Sequence, residues 1–241
     1  MGVEGDAIND PAGLNRVTGY QGAIVKNWIM GPLSLAIVLV AGCDSAYYKT
    51  MEAFGHQKRE ILVDRVKKAR DSQEQAKEQF ASALEKFGSV VNYEGGKLET
   101  LYKQLNSELE ASRSKAKAVG SRIADVEDVA AALFKEWESE LDQYSDADLK
   151  RSSQAKLDQT RQRYEQLIAA MRRAESKMAP VLTVFGDQVL FLKHNLNAQA
   201  VASLEDELVS VETDVAALIK DMEASIAEAN AFIDAMGAGQ S

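Results

Sequence analysis

The sequence has little with which to do chemistry at sulfur or imidazole: one cysteine, Cys43, and two histidines, His56 and His194, in 241 residues. A single thiol excludes any internal disulfide, and two imidazoles exclude histidine-rich metal sites. Three prolines and 7% aromatic residues are also few. With breakers that scarce and Ala, Glu, Lys, Gln and Leu abundant, the chain reads as all-helical, because those side chains lose least freedom in a helix. A positive balance is missing too: 28 Lys and Arg against 37 Asp and Glu give a formal charge of -9. That sign is wrong for a nucleic-acid footprint and for polybasic docking on anionic lipid. No nucleic-acid partner is expected. What the chain does have, 46% hydrophobic and 27% charged residues, is the mixture of a folded protein.

No long membrane-spanning run is visible either. The apolar stretch from Trp28 to Ala41 (WIMGPLSLAIVLVA) falls short of the roughly 20 residues a spanning helix needs, but it is about right for the core of a signal peptide. It ends in Leu39-Val40-Ala41-Gly42-Cys43. Small residues directly before the lone cysteine resemble the bacterial lipobox. That resemblance implies a diacylglyceryl group on the Cys43 thiol, cleavage before Cys43 and N-acylation of the new terminus. Each buried CH2 of an acyl chain contributes about 0.8 kcal/mol, so two or three chains make anchoring durable. The expected location is the bacterial cell envelope, lipid-anchored and facing the periplasm. Asp44 resembles the inner-membrane retention signal of enteric lipoproteins and favours that membrane. Residues 1–24 fit a signal peptide badly, with Glu4, Asp6 and Asp10 against a single Arg16 where positive charge is expected. A start at Val25 would place Lys26 ahead of the apolar core. The expected division is therefore residues 1–42 as extension and signal peptide, and residues 43–241 as the mature domain.

That domain carries four heptad seams. The first runs Leu62, Val66, Ala69, Gln73, Ala76, Phe80, Ala83, Phe87 and Val90, in alternating steps of four and three with one polar interruption at Gln73. Gly95-Gly96 then predicts a turn. The second seam is Leu98, Tyr102, Leu105, Leu109, Ser112, Ala116, Val119, Ile123, Val126, Ala130, Leu133 and Trp137. Ser145 or Asp146 is placed to cap the next helix. The third seam runs from Leu157 through Thr160, Tyr164, Leu167, Met171, Ala174 and Met178, then past Pro180 through Phe185, Val189, Leu192 and Leu196. The fourth is Val201, Leu204, Leu208, Val211, Val215, Leu218, Met222 and Ala229. A third turn at Asn195–Asn197, with Asn197 as N-cap, gives helices of about 46–92, 97–144, 147–194 and 198–236. A break at Pro180 is the competing layout. Comparable lengths and short turns predict an elongated antiparallel four-helix coiled-coil bundle of two long helical hairpins, reaching roughly 70 Å.

Catalytic patterns do not appear. Gly95-Gly96-Lys97 is followed by Leu98 and lacks the upstream glycine of a phosphate-binding loop. Neither histidine follows a glutamate at the Glu-x-x-His spacing of a helical di-iron site: Ala53 and Phe191 stand there instead. No nucleophile-base pair is evident. No enzyme, resident cofactor or metal is expected. The least ordinary stretch is Asp187 to Ala200 (DQVLFLKHNLNAQA), which gathers Phe191, His194, Asn195 and Asn197 at a bundle end. These four form a candidate partner-binding tip, against the simpler role of capping a helix end. The Lys58-Arg59 and Lys67-Lys68-Ala69-Arg70 clusters either face anionic headgroups near the anchor or form a solvated face paired with carboxylates.

Two stretches, KREILVDRVKKARDSQEQAKEQFASALEKF (Lys58 to Phe87) and FGDQVLFLKHNLNAQAVASLEDELVSVETDVAALI (Phe185 to Ile219), resemble the uncharacterised bacterial family DUF2959. The resemblance implies a signal or lipid-attachment segment before a helical domain and transfers no catalytic residue. The expectation is a lipid-anchored structural or interaction module, bound to the membrane through Cys43 and to an envelope protein or the cell wall, with pairing between copies through coiled-coil faces open. A different class is a small-ligand or metal carrier with a pocket inside the bundle, built from Tyr102, Trp137, Tyr164 or the His194 region. A third, a cytosolic coiled-coil ATPase of the kind named for DNA repair, lacks the nucleotide loop.

Overall fold

A computed structural model describes residues 58–91, 97–195 and 198–238. Leu39, Val40, Ala41, Gly42, Cys43, Asp44, His56, the Gly95-Gly96 turn and Asn197 lie outside the described residues. Four helices make up the described chain: α1 Lys58–Val91, α2 Leu98–Leu141, α3 Ala147–His194 and α4 Ala198–Ala238. The 48 residues of α3 extend about 72 Å at the helical rise.

The seams explain why these helices associate. All nine residues of the first seam are buried, Gln73 included. On α2 the seam is buried from Leu105 to Leu133 except at half-buried Ala116, while Leu98, Tyr102 and Trp137 are partly exposed towards its ends. On α3 and α4 the seam positions from Leu157 to Leu192 and from Leu204 to Ala229 are buried apart from Tyr164 and Leu208, which are half-buried. Each fully buried Leu or Phe contributes about 1.5–3 kcal/mol relative to exposure, so removing such a stripe from water drives the packing.

Each helix packs on its chain neighbours, and α1 also packs on α4, closing a four-membered ring. Cross-helix pairs fix the directions. Lys58 Nζ meets Glu136 Oε1 at 2.7 Å and Gln79 Nε2 donates to Glu108 Oε2 at 2.6 Å, so the start of α1 lies beside the end of α2. Arg161 reaches Glu138, Lys177 reaches Asp221 and Arg70 reaches Asn230, which makes the other three contacts antiparallel as well. The result is the expected antiparallel four-helix bundle. One end, the base, holds Lys58, the α2–α3 turn and the close of α4; the other, the tip, holds the end of α1, the start of α2, the end of α3 and the start of α4.

Details of the turns follow from capping. The helix α2 stops at Leu141, short of Tyr144, where Gln143 N–H bonds Glu140 O at 3.0 Å and tightens the last turn. Asp146 is the cap of α3: its Oδ1 accepts from the backbone N–H groups of Asp148 and Leu149 at 2.8 and 3.0 Å. The α3 helix runs unbroken through Pro180 to His194. Pro180 and Ser176 both lie on the exposed face, so the Ser176 carbonyl that Pro180 cannot serve is reachable by solvent.

One polar layer crosses the core. Ser225 Oγ donates to Gln73 Oε1 at 2.8 Å between α4 and α1, and Gln73 Nε2 has no partner. Ser225 is the fourth-seam position that lies between Met222 and Ala229. The two other buried polar side chains among the described residues, Ser112 and Thr160, instead donate to carbonyls one turn back on their own helices, Glu108 and Lys156.

Candidate functional site at the bundle tip

The last turn of α3 presents two exposed apolar side chains at the tip, where Val209 of α4, 71% exposed, is a third. Leu190 is 54% exposed and Phe191 40% exposed, although Val189 and Leu192 on either side are in the core. Helical geometry accounts for this: the seam takes Val189 and Leu192, leaving the two residues between them to point away. His194 and Lys193 are exposed in the same turn, where positive charge complements the helix C-terminus.

Beside Leu190, α2 and α3 separate into a groove of about 390 Å3. Leu109 and Val189 contribute apolar wall; Tyr102, Arg113, Asp187 and Lys193 contribute polar wall. Arg113 is held by Glu110 at 2.7 Å, and a Cβ at Gly186 would stand 3.1 Å from its Nη2. Glycine at 186 therefore lets the guanidinium lie close to the α3 backbone. Asp187 and Lys193 have no ion-pair partner among the described residues, so both signs of charge are available in one groove. Such a wall suits a polypeptide segment carrying an apolar side chain and polar groups.

The residues singled out from sequence are only partly brought together. Phe191, His194 and Asn195 share the end of α3, but Asn195 is engaged: its Nδ2 donates to Phe191 O at 3.0 Å and its backbone N–H to the same carbonyl at 3.1 Å. Asn195 therefore closes the helix, satisfying a carbonyl that would otherwise be orphaned. Tyr102 lines the groove, whereas Trp137 and Tyr164 lie towards the base, so the aromatics do not surround one internal pocket. The apolar cavity between Phe87, Leu105 and Phe185 holds only about 10 Å3, and no three His, Cys, Asp or Glu residues converge among the described residues. Sequence reasoning missed Arg113 and the groove itself. The available signal was Gly186, an interior glycine in α3 beside the off-seam residues Asp187 and Leu190.

Towards the base the aromatic residues carry cations. Trp137 Nε1 donates to Ser153 Oγ at 2.9 Å, and Arg59 lies 5.9 Å from the Trp137 ring centre. Phe134 meets Tyr164 edge-on at 5.4 Å, with Arg161 5.1 Å from the Phe134 ring. Burial, reinforced by Glu127, pushes the Tyr164 phenol up to about 12. Arg172 clamps Glu127 through two nitrogens and reaches Glu175 at 2.7 Å, which raises its pKa further. Of the basic clusters, Lys58 pairs with Glu136, Lys68 with Asp64 and Arg70 with Asp71.

No described helix is long and apolar enough to cross a membrane. Residues 47–236 match a family described as a protein of unknown function, DUF2959. No curated protein matches the chain.

Proposed function

We propose that this chain, which belongs to the DUF2959 family, is a lipid-anchored module facing the periplasm that binds an envelope partner without catalysing a reaction. The observation that carries this reading is polarity along the bundle: Lys58, towards which the chain runs from Cys43, is at the base, and the α2–α3 groove with exposed Leu190 and Phe191 is at the tip. A tether at one end of helices about 50–70 Å long holds the other end away from the bilayer. The lipobox-like Leu39–Cys43 supplies the tether, and Asp44 favours the inner membrane. The partner is a protein whose docking segment inserts an apolar side chain beside Leu190 and matches Arg113, Lys193 and Asp187 with polar groups.

Two measurements test the reading together. Cys43→Ala should release the chain from membranes on fractionation, and a photo-crosslinker at position 190 in intact cells should trap an envelope protein that a crosslinker at exposed Leu149, near the base, does not. Recovery of wild-type chain only as a free cytosolic species, or identical crosslinks from both ends, would overturn it.

A further inference from the structure

Near the base, a cavity of about 140 Å3 opens between α3 and α4 beside the start of α1. Three cations line it: Arg59 from α1, and Lys156 and Arg163 from α3. Its wall includes no carboxylate, although the whole chain has a formal charge of -9. Phe232 and Met236 of α4 supply an apolar floor. An adjoining groove of about 290 Å3 shares Arg163 and Phe232 and carries one acid, Glu228.

These cations differ from the rest of the basic residues at this end. Lys58 and Arg161 have carboxylate partners, Glu136 and Glu138. Arg59, Lys156 and Arg163 have no ion pair among the described residues, and Arg59 Nε is buried with no hydrogen-bond partner at all. The burial of Arg59 Nε weakens solvation of its guanidinium charge, a cost that an anion in the cavity would offset through attraction to the group as a whole. Arg59 is held in place by Trp137, so its charge is positioned before any ligand arrives.

We infer that this cavity binds the phosphate of an anionic phospholipid headgroup. The chemistry shared with free phosphate is a phosphoryl oxygen set facing two guanidinium groups and an ammonium. The lipid is favoured over the free ion because the floor is apolar and because of chain length. Fourteen residues separate Cys43 from Lys58, which keeps the cavity within about 50 Å of the lipid-bearing position even if they are fully extended. The assignment rests on the membrane-anchored reading for its source of lipid. A protein held by Cys43 alone would be free to tilt, whereas a headgroup at Arg59, Lys156 and Arg163 would fix the base against the bilayer and orient the tip.

The test is independent of the anchor. The full chain, purified in a non-ionic detergent, is titrated with dihexanoyl phosphatidylglycerol, dihexanoyl phosphatidylcholine or inorganic phosphate, and phosphorus line widths are followed by NMR. Saturable binding of phosphatidylglycerol at least tenfold tighter than of the other two is expected, with at least tenfold loss in Lys156→Gln/Arg163→Gln. Both side chains in that variant are exposed and unpaired, so folding should be retained, as helicity by circular dichroism checks. Equal binding of phosphatidylcholine, equal binding of inorganic phosphate, no binding, or full binding by a folded double variant would each overturn the assignment. None of those results bears on whether Cys43→Ala leaves the membrane, so the two failures are distinguishable.

Discussion

The two ends of the bundle solve the same packing problem differently. Towards the tip, Phe87 of α1 stacks on Phe185 of α3 across the core, centroids 5.7 Å apart, and both rings are almost wholly buried. Towards the base, Phe134, Trp137 and Tyr164 sit nearer the surface and are covered by Arg161 and Arg59. A dry stack gains from area and dispersion alone, and leaves the tip's polar groups to the outer groove. Rings covered by cations keep charge close to the core, which is what an anion site needs. The contrast shows how one repetitive seam can end in a rigid presenting surface and in a charged seat.

The largest expected effect tests the dry stack. Phe87→Ala deletes a ring that is 1% exposed and should cost about 3–5 kcal/mol, read from urea unfolding midpoints at constant slope. Phe134→Ala should cost clearly less, because the ring is already at the edge of the core and Arg161 can settle into part of the space. An equal or larger loss at Phe134 would break the comparison.

Between the ends, the polar layer at Gln73 and Ser225 should give effects of opposite sign. Ser225→Ala alone leaves the buried Gln73 amide without any hydrogen bond and should cost about 1–3 kcal/mol. Gln73→Leu with Ser225→Ala replaces the layer by apolar contacts and should be neutral or stabilising, by up to about 2 kcal/mol. The layer then serves alignment of α1 against α4, since a polar group in a seam is satisfied in one register only. A neutral Ser225→Ala would remove that role.

Much of this was legible because heptad spacing encodes which face of a helix is buried. Steps of four and three located all nine buried positions from Leu62 to Val90, and the carboxylate of Asp146 and the amide of Asn195 marked helix ends by their capping chemistry. Pro180 left two layouts open, since the cost of a proline depends on whether its orphaned carbonyl faces solvent, and only the packed bundle fixes that. Gln73 showed as a polar interruption, but Ser225 was hidden by its small size and by lying 152 residues away. The groove at Arg113 and Gly186 and the seat at Arg59, Lys156 and Arg163 depend on which helices become neighbours. Heptads specify that a face is buried and leave the choice of partner to turns and cross-helix pairs.

A smaller effect sharpens the picture of the half-covered rings near the base. The Tyr164 phenol titrates at about 12 instead of 10.0, chiefly because burial disfavours the phenolate, so the folded state holds that proton more tightly than the unfolded state. The sign follows: the contribution is fully present below pH 10 and is lost as pH rises through about 12. Tyr164→Phe should therefore lose less stability than wild type over that interval, and the difference absorbance of the phenolate should be missing its highest-pH component. A Tyr164 titration near 10.0 would mean that the ring is more open to water than the Phe134 contact allows.

The smallest effect on stability separates presentation from packing. Leu190 is off the seam and more than half exposed, so Leu190→Ser should change the unfolding free energy by no more than about 0.5 kcal/mol. Binding should respond differently, since an apolar anchor near the centre of an interface carries a disproportionate share of its energy. Capture of the tip partner should fall at least tenfold, worth about 1.4 kcal/mol or more. Leu149→Ser near the base is the matched control: it is 58% exposed, also on α3, and far from the groove. Serine there should leave both stability and capture unchanged. Loss of capture from Leu149→Ser with none from Leu190→Ser would reverse the polarity of the bundle, making the base the presenting end.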